Sequence, residues 1–169
     1  ALREIGVETS DCVAAILTNI PETLAAMLAT NSIGAIWTSC SPDFGIQGVA
    51  DRIGQVDPKI LFVVDGYCYK GQRHDIVGRL QEFRDRLPTV QSIIVLPNLG
   101  EAAQWQPAPD VIAFDDFIAP FDPTVIDYAR LPFDHPAFIM YTSGTTGFPK
   151  CIVHGAGRVL LQLLKEHIL

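Results

Sequence analysis

The sequence predicts an α/β fold, a layered core of parallel strands joined by helical crossovers. Three observations carry that expectation. Short continuous apolar runs, such as Cys12 to Leu17 and Lys59 to Val64, alternate with stretches whose apolar residues recur at helical spacing. Pro, Gly, Asn and Asp punctuate the junctions. Strand, helix and strand follow closely enough that each unit reads as a right-handed parallel crossover.

Taken in order, Ala1 to Gly6 reads as the tail of a helix closed by a glycine. Cys12 to Leu17 is a buried strand. Asn19 and Pro21 then start a capped helix, whose pattern runs through Leu24, Leu28 and Ala29 to a glycine stop at Gly34. Ala35 to Cys40 is a second strand, left through the turn Ser41 to Gly45. A short helix over Val49 to Val56 ends at Asp57-Pro58, and Lys59 to Val64 is the third strand. Tyr67 to Arg73 reads as a loop. Ile76, Leu80, Phe83 and Leu87 mark a helix before Pro88, and Ser92 to Leu96 is a fourth strand. Pro97 to Pro109 is a surface excursion, Val111 to Phe114 a short strand, and the Asp115-Asp116 region irregular. Ala137 to Tyr141 and Cys151 to Val153 form a hairpin. Gly155 and Gly157 open a last helix with Leu160, Leu163, Leu164 and Ile168 on its apolar face.

With 169 residues and 49% hydrophobic content, the chain suits one core and a single domain, and both ends read as cut, as in an internal fragment. A net charge of −7 argues against general affinity for nucleic acid or an anionic membrane. No apolar run has the length of a membrane span, and no signal-peptide pattern is present. Cys12, Cys40, Cys68 and Cys151 lack metal-type spacing and read as buried reduced thiols; the even 28-residue spacing of the first three marks no repeat.

The chemistry concentrates in Tyr141 to Lys150, YTSGTTGFPK, where hydroxyls and glycines crowd ahead of one lysine. Glycines let a backbone approach a ligand, successive amides form an anion-binding concavity, and a lysine adds a point charge. Gly144 and Gly147 are spaced unlike either the G-x-x-x-x-G-K-[ST] loop or the dinucleotide fingerprint. A phosphate cradle and an ordinary Thr/Ser/Gly hairpin turn are both compatible with these residues. Two other stretches carry double readings. The Tyr67 to Arg73 loop suits base stacking and phosphate pairing, or plain solvation; the acidic pairs near Asp115 suit a metal, or solvated turns.

The string Thr142 to Lys150 resembles the phosphate loop of the acyl-adenylate-forming superfamily, which includes acyl-CoA synthetases, luciferases and peptide-synthetase adenylation domains. Gly34 to Gly45 (GAIWTSCSPDFG) and Cys151 to Gly157 (CIVHGAG) resemble its branch acting on a short-chain keto acid, acetoacetate, rather than on acetate. The likeness covers essentially the whole chain. It implies a fragment of the large N-terminal AMP-binding domain, residues 1–169, in a cytoplasmic acid–thiol ligase. The implied reaction uses ATP to make an acyl-adenylate and passes the acyl group to coenzyme A. On this reading Thr142, Ser143, Gly144, Thr145, Thr146, Gly147 and Lys150 hold the ATP phosphates, Lys150 acting catalytically and Mg2+ assisting. The resemblance implies no protein ligand for the metal within these residues.

His154 lies just past the cradle, either turned toward it or as a hydrogen-bonded strand-end histidine. The resemblance puts Trp37 to Phe44 and the Tyr67 to Arg73 loop near coenzyme A. It implies a basic residue at the place of Cys68, which leaves that role to Lys70 and Arg73. Family segments for adenine, ribose, the hinge and the mobile lysine domain are expected beyond Leu169, so this polypeptide alone is expected to show no ligase turnover. Two rivals stand: an adenylation domain for another acid, and a non-catalytic nucleotide-binding module. The expected partners are small-molecule substrates.

Overall fold

The structure, a computed structural model, describes residues 1–99, 108–122, 125–142 and 147–168. Among these a seven-stranded sheet carries the core. Its strands are β1 (Cys12–Ile16), β2 (Ile36–Cys40), β3 (Ile60–Val64), β6 (Ser92–Leu96), β7 (Val111–Ala113), β8 (Pro136–Tyr141) and β9 (Cys151–Gly155), while β4 (Gly66–Tyr69) and β5 (Gln72–Asp75) form a separate ribbon. The spatial order is β7-β6-β3-β1-β2-β8-β9, every neighbouring pair parallel except β8 and β9.

The apolar runs explain the centre. Val13 to Ile16, Ile60 to Val64 and Ile93 to Leu96 are all buried, as befits parallel strands covered on both faces. The covering helices are α1 (Pro21–Ser32), α2 (Ile46–Ile53), α3 (Leu80–Arg86), entered through a 3-10 turn, and α4 (Phe114–Ile118). Because β2 lies on one side of β1 and β3 on the other, the loops leaving β1 and β3 diverge at their carboxyl ends, where open α/β sheets bind ligands.

Helix α1 stops as expected. Gly34 adopts φ 77°, Ala35 N–H donates to the Thr30 carbonyl at 3.1 Å and Gly34 N–H to that of Asn31 at 3.1 Å, a Schellman closure. Its other features differ from expectation. No side chain caps its start; Pro21 opens it after Ile20. Its buried face is Ala26 and Thr30, whose hydroxyl donates to the Ala26 carbonyl, while Leu24 and Leu28 are exposed. Small residues let the helix sit close to the sheet.

Two further readings are corrected. Tyr67 to Arg73 is a hairpin, not a loop: Lys70 (φ 49°) and Gly71 (φ 76°) make a two-residue turn with both central residues left-handed, the type that matches strand twist. Asp115 and Asp116 occupy the first turn of α4, favoured by its dipole, while Phe117 packs edge-on against Phe62 at 6.2 Å. Residues 1–6 form successive turns that end in the expected glycine closure: Gly6 adopts φ 81°, Val7 N–H donates to the Leu2 carbonyl at 3.0 Å and Gly6 N–H to that of Arg3 at 3.0 Å, the pattern that also ends α1. The last helix, α5 (Ala156–Ile168), forms as read, but Leu160, Leu163, Leu164 and Ile168 are exposed. Pro97 to Pro109 falls largely outside the described residues.

Candidate functional site

Strand β8 runs beside β2 and carries the chain to the carboxyl edge of the sheet, and β9 returns antiparallel with Tyr141 opposite Cys151. The hairpin base is closed by one pair of residues. Thr142 N–H donates to the Lys150 carbonyl at 3.1 Å, and Lys150 N–H donates back to Thr142 Oγ1 at 3.1 Å. Thr142 therefore spends its hydroxyl on the clasp, and Lys150 leaves it with an exposed side chain. Gly147 has φ 140°, open space around it, and a place on the return limb. Ser143, Gly144, Thr145 and Thr146 lie outside the described residues.

Beneath the clasp, Thr38 is fully buried on β2; its hydroxyl donates to the Ile139 carbonyl at 2.8 Å and accepts from the Tyr141 hydroxyl at 2.8 Å. Burial pushes the Tyr141 phenol above its ordinary range, so it keeps the proton that it donates. From the other side, Gln55 reaches Pro149 and Cys151, the residues on either side of Lys150. Burial also raises the Cys151 thiol, which stays protonated.

Two clefts open at this edge. The first, of about 640 Å³, is lined by Trp37, Phe44, Arg52, Tyr141 and Thr142; Arg52 lies 4.1 Å from the centre of the Phe44 ring. The second, of about 530 Å³, is bounded by Thr18, Asn19, Asp43, Tyr67 and Tyr69. Both volumes suit a small-molecule ligand. Ser39, Cys40 and Ser41 line both, so the end of β2 is a low shared wall between the clasp and the β4–β5 hairpin. Burial pushes the Cys40 thiol up to about 12, so it is a neutral, unreactive part of that wall.

The sequence-read residues fall in three places. Thr142 and Lys150 form the clasp, and Gly147 stands three residues before Lys150. His154 sits half-buried on β9 opposite Phe138, four residues and about 13 Å of strand beyond Lys150. Lys70 and Arg73 lie across the sheet edge on the β4–β5 hairpin, with Lys70 Nζ 5.2 Å from the Tyr69 ring centre and Arg73 donating to the Leu99 carbonyl at 3.3 Å. On this hairpin, the side chains lining the cleft are Tyr67, stacked on His74 at 4.8 Å, and Tyr69.

Sequence reading missed Gln55, Arg52 and Asp65, and included Thr38 only within the Trp37 to Phe44 stretch, without its bond to Tyr141. Only Asp65 carried a local signal, an acid at the end of an apolar strand before glycine. Of the thiols expected to be buried, Cys12 and Cys40 are buried, Cys151 is half-buried and Cys68 is exposed. Pairing with Arg73 in the polar ribbon gives Cys68 no core to enter. Among the described residues no group of three or more His, Cys, Asp or Glu side chains is placed to hold a metal, and no helix is long and apolar enough to cross a membrane.

The model of the AMP-binding enzyme family matches residues 1–167. The chain is 51% identical over 170 residues to the acetoacetyl-coenzyme A synthetase of Rhizobium meliloti (strain 1021), covering 99% of this chain and 26% of that protein. It is 44% identical to the acetoacetyl-CoA synthetase of Danio rerio, covering 100% and 26% respectively. The solved acetoacetyl-CoA synthetase from Streptomyces lividans superposes with a TM-score of 0.88 at 42% identity, over 98% of this chain and 25% of that one. The chain thus spans about a quarter of the length of the relatives that it matches.

Proposed function

The chain belongs to the AMP-binding enzyme family, and from that premise we propose that it forms part of the N-terminal adenylation domain of a cytoplasmic acetoacetate–CoA ligase. In the first half-reaction a carboxylate oxygen of acetoacetate attacks the α-phosphorus of ATP; the bond to the β-bridging oxygen breaks and pyrophosphate leaves. In the second, the sulfur of coenzyme A attacks the acyl carbonyl and AMP departs with the bonding pair. The acid is activated first because an unmodified carboxylate has no adequate leaving group.

The observation that carries this reading is Lys150, exposed at the clasped base of a hydroxyl- and glycine-rich loop, beside the two-cleft edge of the sheet. An ammonium there meets the charge that grows on departing pyrophosphate, and the backbone clasp fixes the point from which its side chain leaves the chain. Ser143, Gly144, Thr145, Thr146 and the Gly147 amide are proposed to share that grip. Magnesium, if it entered with the triphosphate, would add charge neutralisation.

Coenzyme A is proposed to lie along the shared wall at Ser39 to Ser41, its nucleotide end toward Tyr67, Tyr69, Lys70 and Arg73. The tyrosines offer stacking faces and the cations offer phosphate pairing. His154 is proposed on the ATP side, with its separation from Lys150 making it a wall residue rather than a second phosphate ligand.

The test is acetoacetate-driven ATP–pyrophosphate exchange in the intact protein that carries this sequence. Lys150→Ala lowers kcat for exchange by about a hundredfold or more, a loss typical of removing one transition-state donor. Undiminished exchange in that variant overturns the reading. Exchange driven by another acid and not by acetoacetate transfers it to a different adenylation activity.

A further inference from the structure

Lys150 lies just before the edge strand β9 with its side chain exposed, so its aim depends on what holds the backbone beneath it. Its own N–H and C=O are taken by Thr142. The residues on either side are held by a single side chain from a distant element. Gln55, just past the end of α2, donates from Nε2 to the Pro149 carbonyl at 3.0 Å and accepts from Cys151 Sγ at 3.5 Å through Oε1. The same Nε2 donates to the Asp51 carbonyl at 2.6 Å, which fixes the amide to the last turn of α2. That helix is itself anchored by buried Val49 and Ile53.

We propose that Gln55 is the positioning residue for Lys150: its amide brackets the lysine from both flanks and transfers the rigidity of α2 to the direction in which the ammonium leaves the chain. A planar amide is the one neutral side chain of this length that donates and accepts at once. Glutamate keeps the acceptor for Cys151 but has no proton for the Pro149 carbonyl; alanine keeps neither. Gln55 is exposed and packs into no core, so its effect falls on the loop and not on the fold.

The inference rests on the proposed role of Lys150, and the experiment separates the two. In the intact protein, Gln55→Ala lowers kcat/KM for ATP in acetoacetate-driven exchange about three- to tenfold, the scale of one or two partly exposed hydrogen bonds. The KM for acetoacetate and the thermal midpoint stay unchanged. Hydrogen–deuterium exchange at the Lys150 amide quickens without any nucleotide present. Gln55→Glu falls between wild type and alanine.

The decisive comparison is the double variant. If Gln55 acts through the lysine, Gln55→Ala adds nothing to Lys150→Ala. Full additivity, or an unchanged kcat/KM in Gln55→Ala, overturns the inference while leaving the ligase reading intact. A silent Lys150→Ala overturns both.

Discussion

At the scale of single residues, charge and hydroxyl placement decide behaviour. Thr142 reads in the sequence as one of several phosphate ligands, yet its hydroxyl closes the hairpin base. Lys59 shows a similar reach, bridging from the start of β3 to Asp11 at 2.7 Å. Burial pushes the Asp11 carboxyl up, but hydrogen bonds from Lys59 and the Glu8 N–H outweigh it and the net shift is downward from 3.8. A carboxylate depressed in the folded state contributes stability that is present above its unfolded pKa and is lost as pH falls through the folded one. Unfolding free energy therefore declines as pH drops below about 4, and Asp11→Asn flattens part of that decline. Urea titrations at pH 5 and pH 3 measure it.

At the scale of elements, strands and helices were legible because their signals are local. β6 matches its predicted bounds residue for residue, and β1, β2, β3 and β8 fall within a residue or so. The β4–β5 hairpin was hidden, since its turn is Lys-Gly and its strands are short and polar. Its root is held by Asp65, whose Oδ1 accepts from the N–H groups of Gly66 at 2.7 Å, Asn98 at 2.9 Å and Leu99 at 3.0 Å. Asn98 in turn donates to the Gly66 carbonyl and accepts from Thr18. Asp65→Ala strands several largely buried donors and lowers stability by about 3 kcal/mol, whereas Asp65→Asn keeps an acceptor and loses less. The urea midpoint orders the two variants, and equal losses contradict this account of Oδ1.

At the scale of the whole molecule, the apolar pattern of α1 and α5 was read correctly as helical, but periodicity does not say what covers a face. Leu24 and Leu28 on α1, and Leu160, Leu161, Leu163 and Leu164 on α5, remain exposed, and an apolar helix face left to water invites association. The 169-residue polypeptide expressed alone is expected to bind a hydrophobic fluorescent dye and to self-associate at micromolar concentration. Replacing Leu160 and Leu164 with glutamate reduces both, as light scattering and dye titration record.

Periodicity, turn residues and the YTSGTTGFPK string established an α/β sheet with a candidate phosphate loop at its edge, because each of those properties resides within a dozen neighbouring residues. The grip of Gln55 on Pro149 spans 94 positions and that of Thr38 on Tyr141 spans 103. No local pattern encodes such contacts. They exist because β8 docks beside β2, and that docking brings a hydroxyl-rich turn, with Lys150 exposed at its base, to an edge that carries two clefts.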